Sequence, residues 1–249
     1  VVKGAGVAPL YGDPALRPMC DVDILVRFAD AARARPVLAG IGYSPTATTA
    51  VETELAPPAD LPLGVSLDVH HLLAFPGQFA PDVDGMLERA SARDGVSTLA
   101  PEDEVLVAAL DAARDGFAGV GRSMADVAVV SRASEVDWDA VLARAFGWGL
   151  SAAAWVAFGC ARRAFGARVP LETLRALRPS PSREACLRAW LDRGRVSPYR
   201  LASRTPGGAA LRFAMCVLWP ALVDGHARRA GFLARYALDR LRLARAAVP

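Results

Sequence analysis

Two carboxylates, Asp21 and Asp23, stand one residue apart in the apolar run Asp21-Val22-Asp23-Ile24-Leu25-Val26. Successive side chains of a strand point to opposite faces, so both acids share one face while Val22 and Ile24 pack on the other. Their Cα atoms would be roughly 6.6 Å apart, close enough to converge on two divalent ions about 3.5–4 Å from each other. Without such ions the carboxylates would repel and one pKa would rise. A third acid follows in Ser66-Leu67-Asp68-Val69-His70-His71, where the same period puts Asp68 and His70 on one face.

A D-x-D pair on one strand with a single Asp on a neighbour meets the needs of two-metal nucleotidyl transfer. One ion lowers the pKa of the attacking hydroxyl, and the other neutralises the triphosphate and leaving pyrophosphate. Asp68 would then be the ligand or base nearest the nucleophile. Upstream, a turn at Lys3-Gly4-Ala5-Gly6 would let backbone N–H groups approach the β- and γ-phosphates, with Lys3 or Arg17 adding charge. Of 29 basic residues only Lys3 is lysine, which suits a compact ammonium. A lone D-x-D is a weak signal, but buried apolar neighbours rarely tolerate two unpaired carboxylates without a metal or cation. The competing reading has Asp21 and Asp23 facing solvent and salt-bridged to Arg17 or Arg27.

The elements that would position these groups come in two blocks. Val1 to Val7 reads as a short strand running into the glycine turn, followed by a helical turn to about Tyr11. Further strands are expected over Asp21 to Phe28, Thr46 to Leu55 and Gly64 to Leu73, with a helix from an Asp30 cap to about Ala39. After that the period becomes helical. Pro101-Glu102-Asp103-Glu104 is a helix start running to about Gly116. Further helices are expected near 122–132, 137–146, 150–165, 181–193, 209–218 and 221–246. Strands first and helices after argue for α+β: a small mixed β-sheet with flanking helices, then an all-helical C-terminal domain. We place the boundary between residues 1–98 and 99–249.

With 53% hydrophobic residues in 249, the chain can build a sizeable core. Its four cysteines are far apart without metal-ligand spacing, which fits a reducing cytoplasm. No secretory leader is expected, and the chain enters the phosphate-loop segment at once from Val1, which suggests a truncated start. The longest apolar stretch, Gly208 to Val223, contains Arg212 and Pro220 and is too short for a membrane span. Charge is uneven: residues 1–160 hold 11 basic and 21 acidic residues, and residues 161–249 hold 18 and 5. The basic end could meet RNA, a phosphorylated substrate or an anionic membrane surface, or simply present arginines to water. The tryptophans sit at helical spacing and read as core.

The segments Val2-Lys3-Gly4-Ala5, Tyr11 to Val26 with its Arg17 and D-x-D, Gly42-Tyr43 and Leu67-Asp68-Val69-His70 resemble a little-characterised nucleotidyltransferase family of the DNA polymerase beta superfamily. The helical part is similar at Pro101-Glu102-Asp103-Glu104, Asp126, Asp137-Trp138, Val169-Pro170 and Leu218-Trp219-Pro220. The resemblance implies an NTP donor such as ATP, Mg²⁺ held by Asp21, Asp23 and Asp68, and Gly4 in the phosphate loop. The chain departs from the family in having Asp111 and Asp115 where histidines are expected, Met124 for a tryptophan, and Gly4-Ala5 for Gly-Ser. The expected function is transfer of an NMP to an unidentified hydroxyl- or phosphate-bearing acceptor, whether small molecule, peptide or protein. Nucleic acid and a weak peripheral membrane contact are less favoured partners. The alternative is a catalytically weak nucleotide-binding accessory protein acting through a partner.

Overall fold

The strands β1 (Asp21–Leu25), β2 (Ser44–Thr48), β3 (Glu52–Ala56) and β4 (Ser66–His70) build one mixed sheet in the order β1-β4-β3-β2, with β1 and β4 parallel and the other pairs antiparallel. This computed structural model describes residues 1–61, 64–74, 78–93, 95–117 and 121–192. The helices expected over 209–218 and 221–246, with Trp219 and most of the basic C-terminal stretch, lie outside the described residues. The register places Asp23 opposite Asp68, Asp68 opposite Glu54, and His70 opposite Glu52. By alternation one face therefore collects acids from three strands and His70. On the opposite face Leu55 and Val69 are buried, whereas Val22 and Ile24 are only half-buried.

Three local expectations are corrected. Val1 to Val7 is not a strand: only Val2 is extended, its N–H bonding the Asp23 carbonyl at 3.0 Å, and the chain then enters α1 (Lys3–Val7). Helix lets α1 bury Gly4, Gly6 and Val7. A Cβ on Gly4 would come within 2.8 Å of Met19 Sδ, and one on Gly6 within 2.6 Å of Glu104 Oε1. Thr46 to Leu55 is not one strand but the hairpin β2–β3. The Thr49 hydroxyl accepts from the Val51 and Glu52 N–H groups, each at 3.2 Å, and so reverses the chain there. The strand expected to reach Phe28 stops at Leu25, and a 3₁₀ turn (Phe28–Asp30) leads into α2 (Ala31–Gly40).

After the sheet the chain forms α3 (Val83–Arg89), a small hairpin of β5 (Ser91–Arg93) and β6 (Val96–Thr98), and the helices α4 (Pro101–Arg114), α5 (Gly121–Ala133), α6 (Trp138–Trp148), α7 (Ser151–Phe165), α8 (Leu171–Leu177) and α9 (Pro181–Asp192), of which α4 and α5 face the acids across a cleft. Of these, α3, the small hairpin and α8 are short elements that the sequence pattern did not announce. Pro101 opens α4 with Glu102, Asp103 and Glu104 in its first turn, where acids favour a helix N-terminus. Asp137 caps α6 by accepting from two N–H groups, and Gly149 and Gly166 end α6 and α7 in the left-handed conformation. The alanines of α7 let it pack closely on α4 and α5, and one apolar core runs from Val2 and Leu25 through Leu106 and Leu110 to Phe158 and Leu177. Asp103, fully buried, accepts from Arg89 and Arg144 and so ties α3 and α6 to α4. Trp138 meets Phe158 edge to face, in keeping with core tryptophans. No helix among the described residues is long and apolar enough to cross a membrane.

Candidate functional site

Parallel pairing of β1 with β4 brings Asp23 and Asp68 side by side, as the period of two anticipated from each strand separately. Lys3, Gly4, Arg17, Asp21, Asp23 and Asp68 all line one cleft of about 190 Å³, which is also lined by Asp111 of α4, Asp115 at the C-cap of that helix, and Arg122 and Ser123 of α5. Ala5 sits half-buried on α1 outside that lining. The glycine segment is the first turn of α1 rather than an open loop.

Lys3 takes φ +54°, a left-handed backbone uncommon outside glycine. Its ammonium donates to Asp23 Oδ1 at 2.6 Å and lies 3.2 Å from His70 Nε2 and 4.0 Å from Asp111 Oδ1. His70, only 1% exposed, has Nε2 at 2.7 Å from the same Asp23 oxygen and Nδ1 at 2.9 Å from Glu52 Oε2. Arg114 stands 3.9 Å behind Glu52. The result is a continuous row of polar contacts: Lys3, Asp23, His70, Glu52, Arg114.

The titrations follow from that row. Burial disfavours the Asp23 anion, but the bonds from His70 and Lys3 outweigh it and hold its carboxyl below the usual range. Burial would likewise lower His70, yet its contacts with Asp23 and Glu52 lift it above an ordinary imidazole. Glu52 is lowered, chiefly by its close contact with His70. Asp68 moves the other way: partial burial and the charges of Asp21, Asp23 and Glu52 raise it. Among the described residues no hydrogen bond or ion pair neutralises the carboxylates of Asp21 or Asp68. The competing salt-bridge reading is not what forms. Arg17 pairs with Asp126, and Arg27 lies 3.5 Å from Asp84.

This imbalance is the test of whether a cation fits. Ligand atoms of Asp23, Asp68 and His70 lie within 4.8 Å of one another, and Asp21 shares the strand face and the cleft. Two carboxylates without counter-charge next to a third suit a hard, oxygen-seeking divalent ion, and an imidazole nitrogen would widen the choice to transition metals. The donor set therefore fits a divalent metal.

Arg17 is 8% exposed and its guanidinium is engaged on every side. Nε and Nη2 donate to the two oxygens of Asp126 at 2.8 and 2.9 Å, and Nη1 donates to the Pro18 carbonyl at 3.1 Å. Tyr11 donates to the same Asp126 at 2.7 Å, and burial together with that carboxylate pushes its phenol well above the usual value. Arg17 thus borders the cleft while fastening the segment before β1 onto α5. Glu104, which lines the same cleft, is 5% exposed with no side-chain hydrogen bond to its carboxyl among the described residues, and burial pushes it up to about 8.

Glu52, Glu104 and Asp126 are the participants that residue spacing alone did not single out as site groups. The alternation Glu52-Thr53-Glu54-Leu55 marks a one-sided strand, but only the register of β3 on β4 points Glu52 at His70. His71, facing the other way, bonds the Ala50 carbonyl and packs edge-on against Phe28, a structural role.

No curated protein and no solved structure matches the chain. One family does, that described as an uncharacterised nucleotidyltransferase, over residues 1–166, which takes in the sheet, the whole cleft and the helices through α7. Because that match spans about two thirds of the chain, the chain belongs to this nucleotidyltransferase family.

Proposed function

We propose that the protein moves an NMP from an NTP to a hydroxyl- or phosphate-bearing acceptor, on a polymerase beta-type sheet spanning residues 1–98. The observation that carries the reading is the pair of uncompensated carboxylates, Asp21 and Asp68, flanking Asp23 on one cleft wall. These three acids would hold Mg²⁺, which when bound supplies Lewis acidity to the triphosphate and lowers the pKa of a coordinated hydroxyl. Asp68, whose carboxyl is raised by partial burial and its acidic neighbours, would take the acceptor proton. Lys3 and Gly4, unlike Ala5, line the cleft and would face the triphosphate, and Arg17 would add its charge to the cleft while gripping Asp126. The helical part, residues 99–249, would shape the acceptor side through Asp111, Asp115, Arg122 and Ser123.

The test is Asp23→Asn, which keeps the shape and removes a charged ligand. NMP transfer should fall on the order of a thousandfold, about 4 kcal/mol of barrier. Undiminished transfer by that variant would refute the proposal. The second reading, a nucleotide-binding accessory protein, draws on the engagement of both Lys3 and Arg17 inside the protein. Calorimetric titration with ATP and Mg²⁺, followed by a screen for pyrophosphate release across acceptors, separates the two: tight binding without turnover favours the accessory role.

A further inference from the structure

We propose that Lys3 is a tethered cation that occupies the acidic cluster until a divalent ion takes its place, and that the released ammonium then serves the nucleotide phosphates. This rests on the reading that Asp21, Asp23 and Asp68 bind a divalent ion. Its basis is shared ligands. The ammonium sits 2.6 Å from Asp23 Oδ1 and 3.2 Å from His70 Nε2, and both side chains belong to the trio whose ligand atoms fall within 4.8 Å of one another. A metal on Asp23 and an ammonium on the same oxygen would be like charges in contact in a half-buried site, where repulsion is poorly screened. One must leave, and only the lysine is tethered.

Three further features fit an exchangeable cation rather than a fixed strut. The residue is the chain's only lysine among 29 basic residues. Its compact charge on a four-carbon stem can swing as a unit, whereas a guanidinium fork would lock onto the carboxylate. The backbone at Lys3 is held at φ +54°, an uncommon geometry for a non-glycine residue, at the position whose side chain enters the cluster. A landing place is also present. Asp111 Oδ1 lies 4.0 Å from the ammonium and lines the same cleft, so a displaced Lys3 meets a carboxylate on α4 even before a triphosphate arrives. The arrangement couples the ligands: metal alone binds against Lys3, and nucleotide, by accepting the ammonium, strengthens metal binding, with the reverse following by linkage.

The experiment is an electron paramagnetic resonance titration of free Mn²⁺ with the wild type and Lys3→Met, with and without ATP. Without ATP, Lys3→Met should bind Mn²⁺ about tenfold tighter or better, and ATP should enhance Mn²⁺ affinity less in the variant than in the wild type. Equal or weaker Mn²⁺ binding by the variant overturns the role of Lys3 and leaves the metal site standing. Absence of Mn²⁺ binding by both proteins overturns the site and the proposal together. A second measurement on the wild type covers a variant that fails to fold. Because Lys3 is the only lysine, acetylation of its ε-amine can be followed by peptide mass spectrometry, and Mn²⁺ should speed it several-fold. A rate unchanged at Mn²⁺ concentrations shown by resonance to be bound would overturn the exchange.

Discussion

Replacing Glu104 by glutamine should stabilise the protein at neutral pH and leave it nearly unchanged in acid. Glu104 is 5% exposed on α4, lines the cleft and receives no side-chain hydrogen bond among the described residues. Burial first, and the nearby Asp126 charge second, outweigh the N-terminal ammonium and the Leu99 N–H and raise its carboxyl from the ordinary 4.5 to about 8. For an acid with a raised folded pKa, the folded chain binds a proton that the unfolded chain has already lost. Stability is therefore full below the unfolded pKa and declines as pH climbs toward the folded one. Each pH unit above 4.5 costs about 1.4 kcal/mol in this window, so by pH 7 the wild type gives up about 3 kcal/mol that glutamine, unable to ionise, retains. Glutamine keeps the shape that presses on Gly6, where an added Cβ would lie 2.6 Å from Glu104 Oε1. Urea unfolding followed by far-UV circular dichroism should show the two proteins alike near pH 4.5 and drawing apart up to about pH 8. A stability difference that stays constant across that range would refute the claim that burial raises this carboxyl.

Two other perturbations probe the scaffold of the site. Asp126→Asn leaves the Arg17 guanidinium buried against a neutral amide in place of its bidentate partner, and should cost about 3–5 kcal/mol in urea unfolding. A loss near zero would mean that this pair does not hold the segment before β1 to α5. Glu52→Gln removes one of the two carboxylates that lift His70, so the imidazole pKa should drop toward or below its ordinary value. Proton NMR of the ring resonances reads this directly, and an unmoved His70 titration would show that Glu52 does not sense the imidazole.

Much of the candidate site could be read locally. Asp21 and Asp23 share a face because a strand repeats every two residues, and the same arithmetic aligned Asp68 with His70. Pro101 with three acids announced α4, and the ends of α5 and α7 fall within a residue or so of their periodic limits. The failures are equally physical. Val1 to Val7 has the composition of a strand, but with one N–H bonded to the Asp23 carbonyl and a helix partner available in α4, the segment folds against Glu104 instead. Thr46 to Leu55 reads as unbroken β pattern, and a single threonine hydroxyl turns it into a hairpin.

Alternation and capping are properties of neighbouring residues and are written into the chain, so the sequence by itself determined which acids lie on common faces, where the major helices begin, and the nucleotidyltransferase kinship over residues 1–166. Pairing across long separations is a property of register and packing. Only the tertiary structure decided that Asp23 stands opposite Asp68, that β3 delivers Glu52 to His70, that Arg17 closes on Asp126 109 residues later, and that the lone lysine lies inside the acidic cluster. No local spacing encodes those contacts, because each depends on where a sheet neighbour or a packed helix comes to rest.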